Sequence, residues 1–460
     1  MSSWQINPGR AAPSEIVATS PSAAAFERAR RVIPGGSMRQ ATYFPPHPPY
    51  AASGEGCRVT DLEGRTVLDC ANNFFSLIHG HAFPPVLAAL TDAMARGTAF
   101  GLPTPLETEL AEMIRSRAPR LEQVRFCNSG TEAVMFAVKA ARALTGRDKV
   151  AKFEGAYHGA YDHMEVSLDS DPSNWGEAAP NAVPYVRGTP RAVLNDTVIL
   201  PFNDAERCAA IIAAHGKDLA CVVLDALASR LGMVRADPEF LAAQQGACRR
   251  HGVLLILDEV ITFRLSHGGV QEAFSIEPDL TSLAKVIGGG LPVGAVAGKA
   301  ELMAVFDHTK GKPAVAQGGT FAANPLTMAA GIAALRALDR AAIERLNRLG
   351  DRLRTRVNEA LRGDGLPAQV TGWGSLFRLH LTARPIRDYR SCWLPPERKP
   401  LLAAVHGAML ARGVLMTPNC SAALSTPMGE AEIDTIAAHL VDAVQTIHRK
   451  NPWSESKQEA

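Results

Sequence analysis

The chain has 460 residues, 47% of them hydrophobic, with 48 Lys and Arg set against 46 Asp and Glu. That length exceeds one ordinary core and suffices for about two or three packed units. A net charge of +2 spread over interspersed acids and bases leaves no electrostatic footprint for nucleic acid or a membrane surface, so small-molecule chemistry is the class that remains.

Residues 1 to about 22 are rich in Ser, Ala and Pro and are expected to be loosely held until a helix begins near Ala23. They contain no basic region followed by an apolar core, and charges interrupt the chain well before 18 apolar residues accumulate, so neither export nor membrane insertion is expected. The eight cysteines are scattered without a C-x-x-C pair, which predicts reduced thiols and a cytoplasmic location. Cys57 to Asp69 reads as a hairpin of two alternating runs around Glu63-Gly64. From about 76 to 320, short apolar runs such as Cys221-Val-Val-Leu and Val253-Leu-Leu-Ile-Leu alternate with helical stretches, predicting βα units and a mostly parallel sheet covered by helices. After Asn324-Pro325 a long helical run extends to about Leu361. A helix near Pro400 to Arg412 then precedes a strand at Gly413-Val-Leu-Met. The expected organisation is an α/β protein with residues 1–75 as N-terminal segment and part of a small domain, 76–325 as a large domain, and 326–460 as connecting helix and C-terminal small domain.

Two residues stand out for their chemistry. Lys285 runs straight into a glycine cluster, Gly288-Gly-Gly290, where the backbone can turn sharply and no neighbouring side chain shields the amine. Asp258 is the first charge after Val253-Leu-Leu-Ile-Leu, which is how a buried parallel strand delivers a carboxylate to a site. An amine that can form a Schiff base and a carboxylate that can keep a pyridine nitrogen protonated suit pyridoxal phosphate. Ser129 and Glu132 fit a capping box at the head of a helix, where Gly130 and Thr131 expose N–H groups and a hydroxyl to a phosphate. Tyr157, flanked with His158 by two glycines, could stack on a planar ring. Each feature has an ordinary reading when taken singly: a cap, a loop-packing tyrosine, a surface lysine. The order of all four along the chain is more specific than any one.

With these motifs on the page, the chain resembles the class III, fold type I, pyridoxal-phosphate-dependent aminotransferases over nearly its whole length. The resemblance rests on Gly80-His-Ala-Phe-Pro84, Asn128-Ser-Gly-Thr-Glu-Ala133, Tyr157-His158-Gly159, Asp258-Glu-Val260, Leu283-Ala-Lys-Val-Ile-Gly-Gly-Gly290 and Gly319-Thr-Phe-Ala-Ala-Asn-Pro325. It implies that Lys285 carries the cofactor and shuttles the proton, and that Asp258 pairs with the ring nitrogen. It further implies that Ser129, Gly130 and Thr131 hold the phosphate and that Tyr157 and His158 lie among the ring contacts. Thr320 would reach the phosphate of a neighbouring subunit, implying a homodimer with shared active sites. Ile33-Pro-Gly-Gly-Ser-Met-Arg39 resembles the β-amino-acid aminotransferases and glutamate-1-semialdehyde aminomutases, which implies that Arg39 binds a substrate carboxylate, and Asp258-Glu-Val-Ile-Thr-Phe-Arg264-Leu resembles the β-amino-acid subgroup.

Two departures qualify that likeness. Asp225-Ala226 stands where most members have Glu-Pro, followed by Ser229-Arg230 in place of a glycine-rich turn. Asn419 stands where the β-amino-acid subgroup commonly has a second arginine. The expected reaction is transamination between an amino acid or amine and a 2-oxo acid. An aminomutase or amino-acid racemase on the same fold is the alternative, and a non-catalytic cofactor-binding scaffold a distant third. Tyr43, Phe44, Phe74 and Phe75 are expected either to wall a bulky pocket or to pack at the subunit interface.

Overall fold

Apolar runs buried on both faces build the centre of the molecule. In the computed structural model, which describes residues 20–454, three sheets form in chain order. The first opens with β1 (Ala51–Glu55), β2 (Arg58–Asp61) and β3 (Thr66–Asp69). The second comprises β4 (Gln123–Cys127), β5 (Lys149–Phe153), β6 (Thr197–Leu200), β7 (Leu219–Leu224), β8 (Leu254–Asp258), β9 (Leu280–Ala284) and β10 (Gly294–Gly298). The rest are β11 (Gln369–Thr371), β12 (Leu376–His380), β13 (Val414–Leu415) and β14 (Ser421–Ala423).

The seven-stranded sheet has the order β4-β10-β9-β8-β7-β5-β6, parallel from β9 to β6, with β10 antiparallel to both neighbours. Every residue of β7, β9 and β10 is buried, the mark of strands covered by helices on both faces. The helix Gly130–Thr145 covers one face through Ala133, Val134, Ala137, Val138, Ala140 and Ala141. The α/β class and mostly parallel sheet read from the sequence are thus present.

The hairpin predicted over Cys57 to Asp69 is the β2–β3 pair, turning at Gly64 with φ +78°. The β13 strand joins it in parallel, so the C-terminal third of the chain completes a sheet begun near the N-terminus. The long helical run expected from Asn324 to Leu361 is instead two helices, Pro325–Ala337 and Arg340–Gly363. Asp339 breaks it, its carboxylate accepting from the Ala342 N–H as the cap of the second helix. The helix expected near Ala23 spans Pro21–Arg30, capped by Ser20. Of the N-terminal stretch expected to be loose, residues 1–19 lie outside the described residues. All eight cysteines are buried, unpaired thiols. Among the described residues no helix is long and apolar enough to cross a membrane.

A fully buried arginine ties these parts together. Arg264, just beyond β8, donates from Nε to Ser375 Oγ (3.1 Å), from Nη1 to Phe75 O (2.9 Å) and from Nη2 to Leu424 O. Replacing it by alanine strands two carbonyls and a hydroxyl in a dry interior, a loss of about 3 kcal/mol or more. We expect R264A to lower the denaturant midpoint sharply. A midpoint within error of the wild type would show that Arg264 is not the tie between the sheets.

Candidate active site

The parallel strands deliver their chemistry at their C-terminal ends, the usual location of sites in open α/β sheets. β8 ends at Asp258, β9 passes into Lys285, β7 into Asp225 and β5 into the loop carrying Tyr157 and His158; β4 leads into the helix that opens at Gly130. All these residues, with Thr131 and Arg39, line a single cavity of about 390 Å³.

Asp258 is 5% exposed and fully engaged. Its Oδ2 accepts from His158 Nδ1 at 2.6 Å, and its Oδ1 accepts from the Val260 N–H and Ser282 Oγ, each at 3.0 Å. Burial pushes this carboxyl up, but the His158, Val260 and Ser282 hydrogen bonds outweigh burial and hold it below its ordinary value. The geometry requires the His158 proton on Nδ1, which leaves Nε2 buried without a hydrogen-bond partner. Ser282 and His158 therefore lock the carboxylate ionised and aimed.

Lys285 has φ +52°, a left-handed conformation uncommon outside glycine. Close packing from behind enforces it. A Cβ on Gly331, in the helix Pro325–Ala337, would sit 2.1 Å from Ile287 O, so that helix seats directly on the turn Lys285–Gly288. Burial pushes the Lys285 amine down to about 8, although the Asp258 and Asp225 charges oppose the fall. Among the described residues Asp225 accepts only the Leu227 N–H (2.9 Å); burial and the facing Asp258 raise its carboxyl well above the ordinary range. Two carboxylates and one amine thus share the cavity, and hydrogen bonding decides which carboxylate is charged.

Pyridoxal phosphate demands an amine, an ionised carboxylate for the ring nitrogen and an anion seat, and the residues present fit all three. The N-terminus of the helix Gly130–Thr145, whose first-turn N–H groups favour an anion, would be the seat. Gly159, at φ +93°, comes so close that a Cβ there would lie 2.5 Å from Thr131 Oγ1, and the same hydroxyl accepts the Ala160 N–H at 3.2 Å. The seat is therefore fixed from both sides. Ser129 does not line the cavity: its hydroxyl caps the helix by accepting the Glu132 N–H (3.1 Å). Glu132 answers one residue earlier than the capping box predicts, accepting the Asn128 N–H at 2.6 Å.

Arg39 reaches the cavity from the N-terminal segment. Its Nη1 donates to Asn73 Oδ1 at 2.6 Å, and its guanidinium lies 5.4 Å from the centre of the Phe74 ring. Asn72 to Phe75 all have positive φ, forming one left-handed turn. Sequence reasoning left Asn73 without a role; the signal available was the Asn-Asn pair, since asparagine tolerates this region better than most residues. Of the four aromatics considered for a pocket wall, only Phe74 lines the cavity. Phe75 is core, Tyr43 stacks on Phe26, and Phe44 packs edge-on against His406. Tyr157 lines the cavity but is half exposed. Thr320 lies on an exposed loop outside this cavity, and Asn419 lines a different one.

The chain matches the family model for aminotransferase class III over residues 44–444. It is 40% identical over 395 residues to the glutamate-1-semialdehyde 2,1-aminomutase of Methanothermobacter thermautotrophicus, covering 86% of this chain and 91% of that one. An omega-transaminase from Sphaerobacter thermophilus superposes with a TM-score of 0.91 at 48% identity, covering 94% of this chain and 98% of that one. A β-phenylalanine aminotransferase from Variovorax paradoxus superposes with a TM-score of 0.85 at 32% identity, covering 94% and 95%. With the lysine, the carboxylate and the anion seat gathered at the strand ends of a fold type I sheet, the chain belongs to the class III aminotransferases and is a pyridoxal-phosphate-dependent enzyme.

Proposed function

We propose that the protein is a transaminase whose amino donor carries a carboxylate held by Arg39, a β-amino acid being the donor class, with a 2-oxo acid as acceptor. The observation that carries this reading is that Lys285, Asp258 and the Arg39 guanidinium line one cavity. The likeness to an omega-transaminase and a β-phenylalanine aminotransferase supports the donor class. The likeness to an aminomutase favours the second reading, rearrangement of one substrate without an acceptor.

In this mechanism Gly130, Thr131 and the helix N-terminus would hold the phosphate, with Ser129 stiffening that turn as its cap, while Tyr157 would cover the ring and His158 steers Asp258. When bound, pyridoxal phosphate supplies an aldehyde that captures the substrate amine and a ring that accepts the electron pair left on the substrate carbon. Asp258, kept ionised by its three donors, would hold a proton on the ring nitrogen. Lys285 Nζ would take the proton from the amine-bearing carbon as a general base and deliver it to the cofactor's aldehyde carbon, the transfer running in reverse for the acceptor. Arg39 orients the donor by its carboxylate and carries no proton. Thr320 completes the phosphate site of a second copy in a cytoplasmic homodimer, a reading favoured by Phe321 beside it, which is 61% exposed, and by Leu102, 78% exposed.

Absorbance separates the two reactions. With 3-amino-3-phenylpropanoate alone, the cofactor band of a transaminase converts to the amine form stoichiometrically and recovers on adding 2-oxoglutarate; continued turnover without any acceptor would favour the rearrangement instead. The roles of Asp258 and Arg39 divide by parameter. D258A should lower kcat by about 10³-fold or more, because the fixed charge acts throughout the reaction. R39Q should raise the donor KM by about 10- to 100-fold, the worth of a charge-assisted hydrogen bond, with a small effect on kcat. Equal effects of both variants on both parameters would remove that division.

The depressed Lys285 pKa gives a pH signature. The amine attacks only when neutral. With a pKa of about 8, roughly a quarter is neutral at pH 7.5, against about one in a thousand for an ordinary lysine. The rate at which the cofactor-free protein takes up pyridoxal phosphate, followed by absorbance, should rise through about pH 8 and then level. A rate still climbing toward pH 10 would show an ordinary lysine.

A further inference from the structure

The segment that brings Asp225 into the catalytic cavity brings Arg230 into a second one, of about 640 Å³, lined also by Arg378, Lys399, Tyr389, Trp393 and Asn419. Its charges do not balance. Arg230 is paired with Asp169, and Asp171, which accepts the Ser173 N–H (2.9 Å) and hydroxyl (2.6 Å), offsets the charge of Lys399, so Arg378 is the cation left over. Arg378, on β12, has no carboxylate partner among the described residues. Its Nη1 donates to Ser229 O (3.0 Å) and Arg230 O (3.3 Å), while its Nε is buried with no hydrogen-bond partner. A partly buried guanidinium beside a second arginine, with its Nε shut off from solvent, is unfavourable unless an anion compensates it. Burial weakens its hold on the proton, and the Arg230 charge acts in the same direction. Proteins rarely leave such a cation alone, and here an open cavity faces it with Lys399 at the same wall.

The rest of the lining sets the shape of the missing anion. Trp393, Leu394, Tyr389 and Pro396 supply apolar surface, and the Tyr389 hydroxyl is turned away, donating to Ser170 O at 2.7 Å. Asn419 turns its Oδ1 to the Thr417 hydroxyl (2.6 Å) and the Ser421 N–H (3.2 Å), so its carbonyl does not oppose an anion. With Nη1 taken by two carbonyls and Nε shut away, Nη2 is the nitrogen of Arg378 left to meet an anion, and a carboxylate can bridge it and the Lys399 ammonium with its two oxygens. We propose that this second cavity binds a small organic carboxylate with an apolar body, the carboxylate on Arg378 and Lys399 and the body against Trp393 and Leu394. The site stands independently of the transaminase reading, because it uses no residue of the catalytic cavity.

The test is calorimetric binding of sodium benzoate to the cofactor-loaded full-length protein carrying R39Q, which removes the carboxylate-binding group of the first cavity. Benzoate is expected to bind in this background, to bind at least tenfold more weakly when R378M is added, and about threefold more weakly with K399Q. Inorganic phosphate, titrated in parallel, is expected to bind more weakly than benzoate because it has no body for the aromatic wall. Absence of benzoate binding in the R39Q protein overturns the proposal, as does binding unchanged by R378M. Phosphate binding as tight as benzoate overturns the assigned ligand class. Should R378M fail to fold, K399Q decides: its side chain is exposed and its loss threatens no packing, so unchanged benzoate affinity there overturns the site.

Discussion

The Arg264 guanidinium has no exposed surface and bonds in three directions, to the turn ending at Phe75, to Ser375 next to β12 and to Leu424 next to β14. A charge in a dry interior is tolerated when each of its nitrogens finds an acceptor, and a planar fork can serve three acceptors at fixed angles as a lysine ammonium cannot. Because Arg264 follows Asp258 by six residues, the bonds that join the sheets also fix the loop that leaves the Asp258 carboxylate. Phe75 O, its second acceptor, closes the left-handed turn that presents Asn73 and Phe74 to Arg39. The place where the substrate carboxylate is proposed to sit is thereby set relative to Asp258 through one buried cation.

Inside the cavity, the separation of charge follows from counting donors. Asp258 and Asp225 are both buried and face the same lysine, so in a medium of low dielectric they compete for ionisation. Asp258 receives three hydrogen bonds and Asp225 one, and the carboxylate with more donors holds the charge. The amine feels both acids, yet burial prevails and leaves it deprotonating near neutrality. An amine so poised can act as nucleophile and as proton carrier without a separate base. The shorter acid at 225 fits this account. Bonded to the Leu227 N–H just along its own chain, it stays at the wall rather than pairing with the lysine.

Much of this was legible in the sequence because the relevant signals are local. A continuous apolar run ending in Asp258 reads as a buried parallel strand with a carboxylate at its tip, and Ser129 with Glu132 reads as a helix start. The two-helix break at Asp339 was missed because Ala, Leu and Arg continue the helical spacing across it; only the cap geometry marks the junction. The positions of Asn73 and Ser282 at the site were not legible at all. Each works through a partner more than 20 residues away, Arg39 for one and Asp258 for the other, and such pairings are fixed by the register of strands and the entry angle of loops. The same reason kept Arg378 silent: an arginine in an alternating strand looks like a surface residue until its neighbours are known.

Backbone strain in this protein is distributed unevenly. Twelve described residues other than glycine have positive φ; four of them are the consecutive run Asn72 to Phe75, of which Asn73 and Phe74 line the cavity, as does Lys285, a fifth. Each such residue costs about 1–2 kcal/mol relative to ordinary backbone, so the run is stable only where surrounding bonds over-determine it. Those bonds are identifiable: Asp69 Oδ1 accepts the Asn72 N–H at 2.8 Å, the Ser76 N–H reaches Asn72 O at 2.9 Å, and Arg264 closes the end at Phe75. Phe74 is left facing the cavity and Phe75 the core, two aromatic neighbours sent in opposite directions by a left-handed turn. A right-handed helix would carry successive side chains around in the opposite sense and would present a different pair of residues to Arg39. The strain is therefore what gives the site its asymmetric wall, and the buried arginine is what keeps the strained turn in place.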